Sequence, residues 1–324
     1  MARPNVYVTR RIPQQGIDLL ETTCQVEVNP HDRALTREEL LGKIKDRDGV
    51  IGLLTDRIDG EFFDTATCLK GYANYAVGFD NIDVPEASRR GIPVSNTPDV
   101  LTDATADMAW ALLFAVARRI SETDPIMRSG TWPGWGPLQF IGADITGKTL
   151  GIVGAGRIGT AMAMRSRGFN MRVLYTDTVT NPKLENELLA RRVAFDELLA
   201  ESDFISIHTP LLPETRHLFN AVTFRKMKAT AFVINTARGP VINEADLVEA
   251  LKKKEIAGAA LDVYEGEPKM AEGLAGLKNA VTTPHTASAT PAARIGMATL
   301  AAENLLAMLA GKPGPTCLNP EVFK

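Results

Sequence analysis

Thr149-Leu150-Gly151-Ile152-Val153-Gly154-Ala155-Gly156-Arg157-Ile158-Gly159 runs from an apolar strand pattern straight into a glycine-rich turn. A helical pattern opens at Ile158, continues to about Arg167 and stops at Gly168. A second strand pattern, Met171 to Tyr175, then leads to Asp177. That acid stands roughly 20 residues beyond the glycines, where a dinucleotide fold places the carboxylate that reads a ribose. A lone G-x-G-x-x-G is a weak signal; strand before, helix after and acid at the next strand end make it a specific one. Gly154 permits the tight turn, Gly156 lets backbone approach a pyrophosphate, and Gly159 lets helix and strand pack closely. Free N–H groups at the helix start, at Arg157 and Ile158, favour the negative charge. Asp177 accepts from ribose hydroxyls and repels a 2′-phosphate, and Thr178-Val179-Thr180 supply no cation beside it. NAD(H) is therefore expected as the preferred cofactor, with NADP(H) possible.

Outward from this motif the chain alternates short β-rich runs with longer helical ones, the mark of α/β folds with parallel sheets. Before it come strand patterns at Asn5–Thr9, Val26–Val28, Gly49–Leu54, Gly71–Asn74 and Ile92–Val94. Thr36 with Glu39 reads as a capping box. A long apolar helix is expected from Thr102 to about Ile120, then an aperiodic loop, Gly130-Thr131-Trp132-Pro133-Gly134-Trp135-Gly136-Pro137. After the motif, strands are expected near Phe204–His208, Ala231–Asn235, Gly258–Val263 and Ala280–Thr282, and a closing helix from about Pro291 to Ala310. The expected architecture is α/β, with two doubly wound parallel-sheet domains. A Rossmann cofactor domain, residues 99–289, is inserted into a flavodoxin-like substrate domain made of residues 1–98 and 290–324.

At 324 residues, with 45% hydrophobic and 23% charged residues, the chain has ample material for two cores. Its 36 Lys and Arg against 39 Asp and Glu give a net charge of −3, which argues against a nucleic-acid partner. Three scattered cysteines without a CxxC pair exclude a zinc ribbon and point to a reducing cytoplasm. No metal is expected. The N-terminus lacks the apolar core of a signal peptide, and the longest apolar run, Met108 to Ala117, is too short to span a bilayer. No membrane partner is expected.

Three strand ends carry chemistry. Asn235-Thr236-Ala237-Arg238-Gly239 offers an Arg, Asp262-Val263-Tyr264-Glu265-Gly266-Glu267-Pro268 offers acids, and Pro284-His285-Thr286-Ala287-Ser288 offers a His. The carboxyl edge of a parallel sheet is where ligands bind. An Arg grips a planar carboxylate and polarises an adjacent carbonyl. A His donates a proton as hydride arrives, and a neighbouring carboxylate favours its charged form.

With these segments the chain resembles the D-isomer-specific 2-hydroxyacid dehydrogenases over essentially its whole length, including His208-Thr209-Pro210-Leu211. The resemblance implies that Arg238 binds the substrate carboxylate and carbonyl, His285 is the acid/base and Glu267, directly before Pro268, is its partner. It implies that Asp262 orients the nicotinamide, and that Thr102, His208, Thr209, Pro210, Thr236, Ala237 and Ser288 line the cofactor site. It places substrate against Leu53, Ala76, Val77 and Gly78. Within the family the nearest likeness is to glyoxylate/hydroxypyruvate reductases, so the implied substrate is a small 2-keto acid, reduced to the D-2-hydroxy acid where chiral. Phosphoglycerate- or D-lactate-type dehydrogenases, and a non-catalytic dinucleotide-sensing relative, are the alternatives. Ala287 stands where the family usually has Gly.

A homodimer is expected, built on the helix from Thr102 and the Trp132–Pro137 arm. A helix apolar around much of its circumference needs cover on all sides. In the resembling reductases a Trp of this arm reaches the partner's active site, and Trp135 is the better match.

Overall fold

The computed structural model describes residues 3–324. They form two compact units: the chain up to Leu101 together with Ala289–Lys324, and Thr102–Ser288.

The first unit runs β1 (Asn5–Val8), α1 (Gln14–Glu21), β2 (Gln25–Val28), α2 (Arg37–Ile44), β3 (Gly49–Gly52), α3 (Gly60–Thr65), β4 (Gly71–Asn74), α4 (Val84–Arg89) and β5 (Val94–Ser95). Its strands are all parallel in the order β2-β1-β3-β4-β5, the flavodoxin-like winding. Val6 pairs with Val26, and Tyr7 with Val50. β3 and β4 are buried along their whole length, as strands covered on both faces must be. On one face Leu40, Ile44, Phe62, Phe63 and Tyr72 make a core with Val50 and Val94. Thr36 does close a capping box with Glu39, which starts α2.

The closing helix, Pro291–Leu309, packs on α1, β3 and β4. Among the described residues it is the one helix long and apolar enough to cross a membrane. Its Met297, Ala298, Ala301, Ala302, Leu305 and Met308 are buried in the first unit, which accounts for its composition.

The second unit runs α5 (Thr102–Ala117), α6 (Ile120–Arg128), β6 (Thr149–Val153), α7 (Arg157–Arg165), β7 (Arg172–Thr176), α8 (Pro182–Leu188), β8 (Arg191–Arg192), α9 (Phe195–Glu201), β9 (Phe204–Ile207), α10 (Ala221–Phe224), β10 (Phe232–Asn235), α11 (Glu244–Lys252), β11 (Gly258–Leu261) and β12 (Ala280–Thr282). The parallel order β12-β11-β10-β9-β6-β7-β8 is a Rossmann winding with an added strand. Its two faces carry separate cores. Trp110, Leu113, Met162 and Tyr175 lie on one side, and Leu198, Phe219, Leu247 and Leu251 on the other. Phe204 and Phe232, register partners on β9 and β10, stack at 5.4 Å.

Two features differ from the sequence reading. The helix from Thr102 ends at Ala117, because Arg119 adopts a left-handed backbone (φ 57°) and starts α6 in a new direction. The apolar circumference of α5 is also largely covered within the chain. It packs on α7, β10, β11 and β12, and Phe114 contacts Trp110 and Phe169. On the arm beyond α6, Trp135 and Leu138 are 82% and 83% exposed.

Candidate active site

The glycine turn divides its work among three residues. Gly154 has φ 89°, and a Cβ there would lie 2.8 Å from the backbone of His208 and Thr209. Only glycine fits that turn. A Cβ on Gly159 would meet the Gly154 carbonyl oxygen at 2.0 Å, so the start of α7 packs directly on the turn. A Cβ on Gly156 would meet nothing within 4 Å. The space beside it, at the N-terminus of α7 with Arg157 and Ile158, is open to a ligand. Asp177 directly follows β7, and its carboxylate accepts the Ala155 N–H at 2.7 Å. Its chain oxygen and that of Thr178 accept from the Arg192 guanidinium at 2.8 and 3.0 Å.

The next strand ends complete this edge. His208, Thr209 and Pro210 follow β9. The His208 imidazole hydrogen-bonds Ser206 Oγ at 2.8 Å, and burial pushes its pKa down to about 3, so the ring is neutral. Thr236 and Ala237 follow β10. Thr236 Oγ1 is buried without a hydrogen-bond partner within the protein, a position that a bound ligand can satisfy. Thr102 opens α5, and Ser288 is partly buried at the end of the unit.

Arg238, Glu267 and His285 follow β10, β11 and β12, three adjacent strands. His285 Nδ1 and Glu267 Oε2 are 2.9 Å apart. The other Glu267 oxygen accepts the Tyr264 N–H at 3.1 Å. Burial acts to raise the Glu267 pKa, but the hydrogen bond and charge of His285, the Tyr264 N–H and the Arg238 charge together carry it below its ordinary value. Glu267 is thus a carboxylate near neutrality. A Cβ on Gly239 would sit 1.9 Å from the Tyr264 carbonyl carbon, so the Arg238 and Glu267 turns touch backbone to backbone.

His285 has a left-handed backbone, φ 53°, which costs a non-glycine residue of order 1–3 kcal/mol. Asp262 holds it there. The fully buried carboxylate accepts the Thr286 and Ala287 N–H groups, each at 2.8 Å, and the Thr283 hydroxyl at 2.6 Å, while its chain oxygen accepts the His285 N–H at 2.9 Å.

In the first unit Leu53 follows β3, and Ala76, Val77 and Gly78 follow β4. The Asn81 amide joins them, donating to the Leu53 and Asp56 carbonyls at 3.1 and 2.9 Å and contacting Asn74, which donates to the Gly78 carbonyl at 2.9 Å.

Residues 110–287 match the family described as D-isomer-specific 2-hydroxyacid dehydrogenase, NAD-binding domain. The chain is 52% identical to a glyoxylate reductase of Thermococcus kodakarensis over 326 residues, covering 99% of this chain and 98% of the relative. It belongs to the D-isomer-specific 2-hydroxyacid dehydrogenases. Solved structures of similar form include a Thermus thermophilus protein (TM-score 0.90, 44% identity, 97% of this chain and 99% of that one). Another is an NADPH-dependent glyoxylate/hydroxypyruvate reductase from Sinorhizobium meliloti, in complex with NADP and malonate (TM-score 0.86, 30% identity, 98% of each chain).

As a member of this family the dehydrogenase uses a nicotinamide dinucleotide. The open face of Gly156, the unpartnered Thr236 hydroxyl and the α7 N-terminus fit that group. Sequence reasoning missed Arg192, which lies on a two-residue, fully exposed strand with no apolar pattern. Its position on the strand next to β7 brings it to Asp177. Nor does the sequence distinguish a second pair, His217 with Glu265, joined at 2.5 Å.

Proposed function

We propose that this dehydrogenase reduces a small 2-keto acid, glyoxylate or hydroxypyruvate, to the 2-hydroxy acid, D where chiral, with NADH as the preferred reductant. The observation that carries the chemistry is the His285–Glu267 pair on the strand next to the Arg238 turn. The full-length likeness to glyoxylate reductases supports the choice of acid.

A bound nicotinamide supplies the hydride. Arg238 holds the substrate carboxylate in bidentate fashion and polarises the adjacent carbonyl. Because His285 engages Glu267 through Nδ1, Nε2 is the nitrogen that delivers a proton to the developing alkoxide. Glu267 stabilises the imidazolium before transfer. Asp262 fixes the turn that aims the ring. Within the first unit, Val77 and Gly78 offer backbone N–H groups, and Ala76 and Leu53 apolar surface, suited to a small carboxylic acid.

Asp177 favours NADH by repelling a 2′-phosphate. Arg192, close to the same ribose position, tempers that repulsion and admits NADPH at lower efficiency. A homodimer with Trp135 serving the partner's site is supported by the exposed arm, and three free thiols suit the cytoplasm. The deciding experiment is a panel of 2-keto acids with NADH and NADPH. Inactivity on glyoxylate, hydroxypyruvate and pyruvate alike would sink the assignment. A higher kcat/KM with NADPH would overturn the role given to Asp177.

A further inference from the structure

Two glutamates outside the proposed chemistry tie together the turns that carry it. Glu244, the first residue of α11, is only 3% exposed. Its carboxylate accepts the backbone N–H of Glu265 through one oxygen and that of Ala271, at 2.7 Å, through the other. Glu265 returns the contact: its Oε2 accepts the Glu244 N–H at 2.8 Å, and its Oε1 meets His217 Nε2. The two anchored amides, Glu265 and Ala271, bracket Glu267 in sequence. On the other side, Glu244 ends the segment that begins at Arg238. The Arg238 chain oxygen is held by the Asn235 amide at 2.9 Å. The His217 turn is sewn to the same segment, with its N–H on the Pro240 oxygen at 2.8 Å and the Phe219 N–H on the Val241 oxygen at 3.0 Å.

A buried carboxylate is costly unless its oxygens are used. A helix start leaves N–H groups without helical partners, which nearby side chains usually satisfy. Here the start of α11 is satisfied from another turn, and that turn is satisfied from the helix. The reciprocity gives the tie a definite geometry, because neither turn can shift without leaving donors unpaired on both sides.

We propose that Glu244 and Glu265 are positioning residues, which lock the Glu267 turn onto the Arg238 turn and so set Glu267 against His285 without touching substrate. The proposal rests on the chemical roles given above to Arg238, Glu267 and His285. The alternative is a purely structural cap for α11.

Glu244→Gln and Glu265→Gln, measured beside His285→Ala, separate these. Glutamine keeps the size but retains one acceptor oxygen, so one anchored donor is lost. Misplacement of a reacting group by about 1 Å can cost 10²-fold, so a kcat loss of about 10–100-fold is expected for Glu244→Gln. The dinucleotide KM should change little. The pH profile of reduction should move to lower pH as Glu267 supports His285 less well. His217 and Tyr264 are the titratable side chains beside the tie and remain in the Glu244 variant. In the unliganded protein, hydrogen exchange should quicken across residues 238–244 as well as 264–271. A lower Tm with wild-type kcat and pH profile, and exchange changed only at Glu265 and Ala271, would overturn the proposal in favour of a cap. If His285→Ala stays active, the underlying catalytic reading fails instead. Should Glu244→Gln not fold, the less buried Glu265→Gln decides the same question by the same readouts.

Discussion

Two histidine–glutamate pairs stand at the carboxyl edge of one sheet, His285 with Glu267 and His217 with Glu265, at 2.9 and 2.5 Å. Both are partly exposed and both join neighbouring turns. They differ in what surrounds the contact. Glu267 has the Arg238 charge close enough to help lower its pKa. Its histidine uses Nδ1 and keeps Nε2 for another partner. Glu265 spends its second oxygen on the first N–H of α11, and its histidine spends Nε2 on the contact. Both histidines have left-handed backbones, φ 53° at His285 and 52° at His217; the His285 turn is fixed by a buried aspartate, whereas the other pair closes a tie among three turns. A His–carboxylate hydrogen bond is therefore no signature of acid–base chemistry by itself. The free ring nitrogen and the neighbouring cation make the difference.

The sharpest test compares the two histidines. General acid–base catalysis typically contributes 10²–10⁴-fold, so His285→Ala should lower kcat by about that factor, with less effect on KM. His217→Ala should lower it far less in the same steady-state assay, and equal losses would break the distinction. Next in size is Arg238→Ala. Loss of one electrostatic donor costs about 10²–10³ in kcat, and here substrate KM should rise as well. Arg238→Lys should recover only part, because a point charge cannot grip a carboxylate with two parallel bonds.

A smaller effect distinguishes the carboxylates by pH. The folded-state pKa of Glu267 is lowered from 4.5, so the unfolded chain takes up a proton there first as pH falls. The stabilisation is complete above the unfolded value and is lost as pH drops through the lower folded value. Urea unfolding should show the gap between wild type and Glu267→Gln narrowing as pH falls below about 4.5. The activity optimum of the variant should also move to more acidic pH, since its His285 lacks a carboxylate partner. The smallest effect is on stability at the other pair. Exposed ion pairs contribute about 0.2–1 kcal/mol, so His217→Gln should lower the unfolding free energy by no more than that. A larger loss would mean that the tie among the three turns stabilises the whole unit.

The helix missed beyond Arg119 shows why some elements escape the sequence. α6 buries no residue and carries Pro125 inside it, so no apolar stripe announces it. β8 consists of two exposed arginines that become a strand only by pairing with β7. The intrachain cover of α5 is illegible for the converse reason: its apolar faces are plain in the sequence, but α7 and three strands, which supply that cover, are not local to it.

What the sequence determined by itself is local and periodic. It contains the β/α alternation, the glycine spacing that only a strand–turn–helix can use, and the residue types at each strand end. A period of two or of 3.6 is set by backbone geometry alone, and a glycine turn by the absence of a Cβ. Tertiary structure alone decided which strand ends are neighbours. The order β12-β11-β10 brings the His285, Glu267 and Arg238 turns side by side, and the β7–β8 pairing brings Arg192 to Asp177. It also decided which of two similar glutamates faces His285 and which caps α11. Those choices depend on contacts between residues far apart in the chain, where hydrogen-bond geometry and burial discriminate and composition does not.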